Sequence, residues 1–121
     1  MLAVALLLAL IAGGAAVAYQ AAARERDHRA LVGRGDAALA EGKTFDAIEA
    51  YSGAIALRPD SMLAYLRRGE TYGQRSDLDA AARDFDKATA LDPSATRPLE
   101  ELADVQYRRE RFSQAAEAYA S

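Results

Sequence analysis

The chain of 121 residues contains no cysteine, no tryptophan and no asparagine, and it has a single histidine, His28. Without cysteine, neither a disulfide framework nor a thiolate metal site is possible. One histidine cannot form an ordinary zinc site, so we expect His28 at the surface. No phosphate-binding loop, dinucleotide-binding glycine pattern or nucleophile elbow is present. We therefore predict that the chain is not an enzyme, has no catalytic or metal-binding residue and needs no cofactor.

Charge is absent from the N-terminal segment, because the earliest charged side chain is that of Arg24. The rest of the chain carries 15 Lys and Arg against 18 Asp and Glu, a net charge of −3. A mildly acidic surface of mixed sign argues against a nucleic-acid partner. We expect no small-molecule substrate either.

The uncharged segment, residues 1–23, has two interpretations. As a helix rising about 1.5 Å per residue it would span roughly 34 Å, which is enough for a hydrocarbon core of about 30 Å. It lacks the basic n-region of a secretory signal, although Ala16-Val17-Ala18 resembles a cleavage site. We favour a retained transmembrane anchor, and a cleaved signal is the alternative.

An arginine-rich stretch follows this segment. Residues 24–34 hold four arginines against two carboxylates, and basic residues beside a membrane span tend to stay on the cytoplasmic side. We assign residues 24–27 to a basic juxtamembrane link and expect a single-pass membrane protein whose remaining residues are cytoplasmic. With a cleaved segment, the chain would instead be exported or periplasmic.

A sequence repeat organises the rest of the chain. The stretch from Gly35 to Pro59 recurs from Gly69 to Pro93, with small, aromatic and proline residues in the same places. A fixed period of this kind is the signature of a repeat architecture. The same offset relates Ala47 to Ala81, Tyr51 to Phe85, Ala54 to Ala88 and Leu57 to Leu91, and it continues to Ala103, Ala115 and Tyr119.

These residues resemble the tetratricopeptide repeat (TPR), a helix–turn–helix unit with a period of about 34 residues. The second copy fits best, whereas the first departs from the family pattern at Arg34 and Ala38 and the third stops at Ser121. The resemblance implies an all-α fold, in which antiparallel helix-pair repeats stack as a right-handed α-solenoid of about 2.5–3 units. An N-terminal hydrophobic helix precedes them. The copies are assigned to residues 28–61, 62–95 and, incompletely, 96–121.

Each copy is expected to contain a helix A, a tight turn and a helix B. Gly42 should end the first helix A in the left-handed conformation, Ser76 and Asp79 should begin the second helix B as a capping box, and Phe112 should open the third. Terminal repeats need a polar cap, and none follows. We therefore expect the chain to be a fragment whose last helix frays.

The repeated residues have structural roles in this interpretation. The small residues should lie where each helix A crosses its own helix B, and the aromatic residues should fill the space between repeats. The small residues are Gly35, Gly69 and Ala103, and the aromatic residues are Tyr51, Phe85 and Tyr119.

The resemblance also implies a protein–protein interaction scaffold, because TPR proteins hold a peptide or protein segment in a concave groove lined by helices A. Arg67 and Tyr107 are the best single candidates for strong contacts, since buried Arg and Tyr contribute disproportionately to binding. Apolar residues should form one end of the groove and charged residues the other. The groove positions are Arg29, Val32, Asp36, Leu39 and Ala40; Leu63, Leu66, Arg67, Glu70 and Gln74; and Arg97, Glu100, Glu101, Asp104, Tyr107 and Arg108.

One branch of the family grips the C-terminal carboxylate of chaperones with basic and amide side chains. Of the matching positions here only Arg97 is suitable, and the acids Asp36 and Glu101 would repel a carboxylate, which argues against that branch. The other two positions are Val32 and Arg67. We expect a membrane-tethered module. The alternatives are the structural N-terminal part of a longer TPR solenoid, or a secreted or periplasmic TPR binding protein.

Overall fold

The computed structural model describes residues 1–120, and Ser121 lies outside the described residues. Residues 1–120 form five α-helices and no strand, each helix packing against the next. The predicted all-α fold of stacked antiparallel helix pairs is confirmed. The helices are α1 (Leu2–Ala40), α2 (Thr44–Leu57), α3 (Met62–Gln74), α4 (Leu78–Leu91) and α5 (Thr96–Ala120).

Helix boundaries recur with the period of the sequence repeat. The pairs of first residues are Thr44 with Leu78 and Met62 with Thr96. Proline falls between α2 and α3 and again between α4 and α5, where it cannot continue a helix. The repeat in the sequence is therefore a repeat in the backbone.

The turn between helices A and B is the same in both complete repeats. Gly42 and Ser76 have φ angles of 74° and 61°, in the left-handed region. The amide of Lys43 donates to the Ala38 carbonyl at 2.9 Å, and the equivalent bond in the second repeat is 3.0 Å. This is a Schellman motif. The prediction for Gly42 is confirmed, whereas Ser76 is the turn residue and not the start of a capping box.

Two segment boundaries assigned from the sequence do not interrupt a helix. Helix α1 runs through residues 24–27 without interruption, so the basic link is itself helical. Helix α5 runs through Phe112 to Ala120, so the expectation of a separate helix B in the third copy was wrong. Glu110 stands where Gly42 and Ser76 stand in the other copies, but its backbone is helical and not left-handed. The helix continues instead.

The core of each repeat centres on one aromatic ring against a glycine. A Cβ built on Gly69 would lie 2.7 Å from Cε1 of Phe85, and a Cβ on Gly35 would meet the ring of Tyr51. Both rings are almost fully buried. The predicted crossing of helices at small residues is confirmed for these two repeats.

A buried ion pair that the repeat pattern does not indicate joins three helices. Arg68 on α3 donates to both carboxylate oxygens of Asp84 on α4, at 2.7 and 2.8 Å, and to Ser52 on α2 at 3.1 Å. The guanidinium also lies 5.6 Å from the ring centre of Tyr65 and 5.9 Å from that of Tyr72. The hydrogen bond from Arg68 to Asp84 raises the pKa of the arginine, against the opposing effect of burial.

The N-terminal part of α1 contacts no other helix among the described residues. Every side chain of residues 1–22 is exposed, and the buried positions of α1 begin at His28. By length and composition, α1 is able to cross a membrane.

Candidate functional site

Charged side chains of alternating sign cross the three helices that begin the repeats. We call Asp36, Arg67, Glu70, Arg97 and Glu101 the charge row. Each of its arginines lies between two carboxylates. Arg67 is 3.7 Å from Asp36 and 3.3 Å from Glu70, and Arg97 is 2.6 Å from Glu70 and 3.9 Å from Glu101. The row ties α1 to α3 and α3 to α5.

Asp36, the first carboxylate of the charge row, is held in place by a hydrogen bond from a buried tyrosine. The Tyr51 hydroxyl donates a 2.6 Å hydrogen bond to Oδ1 of Asp36. Burial, together with this bond to a carboxylate, raises the pKa of Tyr51 well above its usual range. The phenol therefore keeps its proton and remains a donor to the same oxygen of Asp36 that lies 3.7 Å from Nε of Arg67.

A cleft of about 420 Å³ opens between α3 and α5, at the far end of the charge row. Arg108 is held at its rim, because its Nη2 donates to the carbonyl of Gly73 at 3.2 Å. The floor is made of Gly73, Phe85 and Val105. The cleft brings together six of the predicted groove residues: Glu70, Gln74, Arg97, Glu101, Asp104 and Arg108.

Carboxylates are crowded at the α5 wall of the cleft. Burial raises the pKa of Glu101, and the nearby Glu70, Asp104 and Glu100 raise it further, while Arg97 opposes them. The α5 wall also carries Arg97 and Arg108, so its charges are mixed, and Glu70 is the charged residue of the α3 wall.

The expected apolar end of the groove needs correction. Leu66 is buried in the core cluster of the second repeat. Val32 is buried in that of the first, although it still lines a cavity that Leu63 also borders. Leu39 is also partly buried against the first cluster. Leu63 remains 43% exposed, and it lines this separate cavity with Arg29.

Tyr107 is not in the cleft, although the sequence favoured it. It is exposed further along α5, where Arg111 donates to its hydroxyl at 3.2 Å and lies 5.8 Å from its ring centre. Arg67 is one-third exposed and belongs to the charge row. Of the two side chains expected to make the strongest contacts, only Arg67 is positioned to meet a ligand together with the others.

The cleft floor was not predicted from the sequence. Gly73 and Val105 were given no role, and Phe85 was given only a packing role. A Cβ on Gly73 would lie 3.8 Å from Nη1 of Arg108, an ordinary van der Waals contact, so this arginine lies directly beside the backbone of Gly73. The sequence did contain an indication that Gly73 lies near the groove, because this residue immediately precedes the predicted groove residue Gln74.

His28 is buried, which corrects the expectation of a surface residue. Its Nε2 lies 2.9 Å from the Ser61 hydroxyl, which also accepts the amide of Ala64 at the start of α3. Within residues 1–120 no group of three or more His, Asp or Glu side chains is arranged to hold a metal ion.

Two family models match the repeats. One, described as TPR repeat, matches residues 35–76, and the other, described as tetratricopeptide repeat, matches residues 66–121. Between them they take in every residue from Gly35 onward.

Curated relatives align with most of this chain but are much longer. The chain is 30% identical over 89 residues to small glutamine-rich tetratricopeptide repeat-containing protein 2 of Mycosarcoma maydis, covering 74% of this chain and 25% of that protein. It is 29% identical over 86 residues to Hsp70-Hsp90 organizing protein 3 of Arabidopsis thaliana, covering 71% and 15%. The chain thus spans a quarter or less of these relatives.

Solved structures share the fold. The first TPR of Spaghetti (RPAP3), bound to the HSP90 peptide SRMEEVD, superposes with a TM-score of 0.68 at 20% identity, covering 78% of this chain and 77% of that one. The Sgt2 TPR domain from Aspergillus fumigatus gives 0.67 at 26%, covering 77% and 62%. The TPR2B domain of yeast Sti1, in complex with pHsp70, gives 0.69 at 21%, covering 76% and 74%.

Proposed function

The chain belongs to the tetratricopeptide repeat family, and from that premise we propose that it is an interaction scaffold whose concave groove binds a peptide or protein segment. The observation that carries this proposal is the cleft between α3 and α5, which continues the charge row. Two solved structures of the same fold are complexes with peptides of the chaperones HSP90 and Hsp70, which supports a peptide-sized partner.

The groove favours a polar segment bound through its side chains. Its walls offer carboxylates and guanidinium groups, which form strong charge-assisted hydrogen bonds with polar side chains of a ligand. Apolar contact in the cleft is limited to its floor, around Phe85 and Val105.

A free C-terminal carboxylate is a poor ligand for this groove. Arg67 and Arg97 each lie between two carboxylates, so neither presents an unpaired positive charge. Asp36 and Glu101 add negative charge at the positions where the carboxylate-binding branch of the family has amide or basic side chains. We expect the partner segment to bind internally, without its terminus.

To test the groove, the full chain is placed in nanodiscs. Peptides that bind it are selected from a displayed random library, and their affinities are then measured for variants of the chain. Arg97→Ala should weaken the selected peptides about tenfold, which corresponds to about 1.4 kcal/mol, because it removes the exposed arginine at the cleft mouth. Lys87→Ala, on the exposed face of α4, should change the affinity less than about twofold. Amidation of the peptide C-terminus should have an equally small effect.

The reverse pattern of affinities would contradict this proposal. If Lys87→Ala weakened binding while Arg97→Ala left it unchanged, the binding surface would lie outside the groove. If amidation alone abolished binding, the partner would be held by its terminal carboxylate.

We further propose that residues 1–23 anchor the repeats to a membrane as a single span, with the repeats on the cytoplasmic side. Support comes from the segment itself: it is helical, apolar and almost entirely exposed, and the arginine-rich residues 24–34 follow it. The matched family models begin at Gly35, so they describe the repeats and not this segment.

The anchor is tested by alkaline carbonate extraction and N-terminal sequencing of the mature protein. We expect an intact N-terminus and retention in the membrane pellet. The double variant Leu10→Arg/Ile11→Arg should be released, because each arginine near the centre of a span costs about 2.5–3.5 kcal/mol. A mature chain beginning at Tyr19, or release of the unmodified chain by carbonate, would contradict the anchor.

A further inference from the structure

A single uninterrupted helix joins the apolar N-terminal segment to the first repeat. Helix α1 contains no glycine or proline from Ala15 to Val32, and these are the residues at which helices usually kink. The apolar segment ends at Ala23, because Arg24 is the first charged residue. The repeats therefore follow this segment in a fixed orientation and not on a flexible linker.

The loop between α2 and α3 is attached to α1 directly beyond the apolar segment. We call its residues, 58–61, the edge loop. Nη1 of Arg58 donates to Glu25 at 2.8 Å, and the hydroxyl of Ser61 lies 2.9 Å from Nε2 of His28. His28 and Ser61 are both buried, so this attachment belongs to the core. The edge loop therefore lies at the level of residues 25–28 along α1.

The rise of an α-helix converts these contacts into distances from the end of the apolar segment. Glu25 and His28 lie roughly 3 Å and 8 Å beyond Ala23, at about 1.5 Å per residue. A bilayer is about 30 Å thick in its hydrocarbon core and about 40–45 Å with its headgroups, which leaves roughly 5–8 Å of headgroups on each side. With residues 1–23 in the core, the edge loop falls within that layer. The turn after α1 begins at Glu41, roughly 27 Å beyond Ala23 and well outside it.

We propose that the continuous helix α1 holds the edge loop against the phospholipid headgroups, so that the repeats stand on the bilayer surface. This contact rests on the membrane anchor proposed above. It deepens that proposal, because it assigns a second part of the chain, distant in sequence from the anchor, to the membrane interface.

The charges at this level suit a phospholipid surface. Residues 24–29 and 58–61 hold four arginines against three carboxylates. Arg24 and Arg26 are exposed, and neither forms an ion pair within residues 1–120, since Glu25 pairs with Arg29 and Arg58. Guanidinium groups form strong charge-assisted hydrogen bonds with phosphate. The two unpaired arginines are therefore placed to bind lipid phosphates.

One end of the groove lies at the same level. A cavity of about 560 Å³ opens beside the edge loop, and its lining includes Asp60 and the predicted groove residue Leu63. A partner segment bound at this end of the groove would therefore lie beside the membrane surface.

The absence of cysteine allows the height of two turns to be measured on the full chain in nanodiscs. Asp60→Cys marks the edge loop and Lys43→Cys marks the opposite turn. Both side chains are exposed and form only surface ion pairs, so either change should cost little stability. Each variant carries a fluorophore, and the lipids carry a nitroxide quencher on the headgroup. We expect the label at residue 60 to lose most of its fluorescence and the label at residue 43 to lose little.

A linker variant separates the rigid connection from the anchor itself. A flexible Gly/Ser linker inserted between Ala23 and Arg24 leaves the anchor in place but interrupts the continuous helix. The label at residue 60 should then recover most of its fluorescence, while the chain still resists carbonate extraction.

The remaining outcomes would overturn the contact. Equal quenching at residues 60 and 43, or no quenching at residue 60 in a chain that remains in the nanodisc, would contradict it and leave the anchor standing. Unchanged quenching at residue 60 after insertion of the linker would show that α1 does not hold the loop there. A chain that does not enter nanodiscs would overturn the anchor and the contact together.

Discussion

Replacing Asp84 with alanine is expected to destabilise the repeats by about 3 kcal/mol, because it removes the buried carboxylate of an ion pair whose arginine is only 21% exposed. Arg68 would lose two hydrogen bonds of 2.7 and 2.8 Å while its guanidinium stayed partly enclosed between Tyr65 and Tyr72. The loss should appear as a lower midpoint in urea unfolding followed by circular dichroism, with little change in the denaturant slope.

Asp79 provides a matched control on the same helix. Its carboxylate also pairs with an arginine, Arg109 at 2.9 Å, but the side chain is 71% exposed. Exposed pairs contribute about 0–1 kcal/mol, so Asp79→Ala should hardly move the midpoint. Equal losses for Asp79→Ala and Asp84→Ala would show that the Arg68 pair is not the inter-helix clamp inferred from its geometry.

The Arg68–Asp84 pair also shows where the sequence stops being informative. The repeat predicts helices and their boundaries, because residue size and proline position recur from copy to copy. Arg68 has a charged counterpart one period earlier, Arg34, but the counterpart of Asp84 is Ala50, which offers no carboxylate. Both partners of this ion pair are present in just one copy, so the pair cannot be deduced from the repeat.

Helices α1 and α5 each continue through a boundary assigned from the sequence, and they do so for different reasons. At α5, comparison of Gly42, Ser76 and Glu110 carried a usable signal, since only the last position is occupied by a long side chain that resists a left-handed turn. At α1, the charge pattern suggested a link at residues 24–27, yet nothing in those residues ends a helix. A change in side-chain polarity along the chain indicates a change of surroundings, but it does not by itself end a helix.

The groove could be predicted for α3 and α5 better than for α1. Repeat positions indicate which side of a helix a residue occupies, and the predicted groove residues Glu70, Arg97 and Glu101 line one cleft. Repeat positions do not indicate how deeply a side chain is buried. Leu66 occupies a groove position but is buried in the core cluster that contains Val105.

Replacing Gly69 with leucine is expected to cost on the order of 1–3 kcal/mol through overpacking. Even a Cβ at this position would lie 2.7 Å from Cε1 of Phe85 and 3.2 Å from Cβ of Asp84. The Phe85 ring is 1% exposed and has nowhere to move. The helices of the second repeat must therefore separate, and the urea midpoint should fall.

Gly33 is the control, because it is also helical but exposed, with nothing within 4 Å of a Cβ built on it. Gly33→Leu should raise stability by up to about 1 kcal/mol, since glycine is a poor helix former. The same gain is available at Gly69, so the difference between the two variants isolates the cost of the clash. If both variants unfolded at the same urea concentration, the close crossing of α3 and α4 at Gly69 would not exist in solution, and the packing that holds the cleft floor at Phe85 would have to be assigned differently.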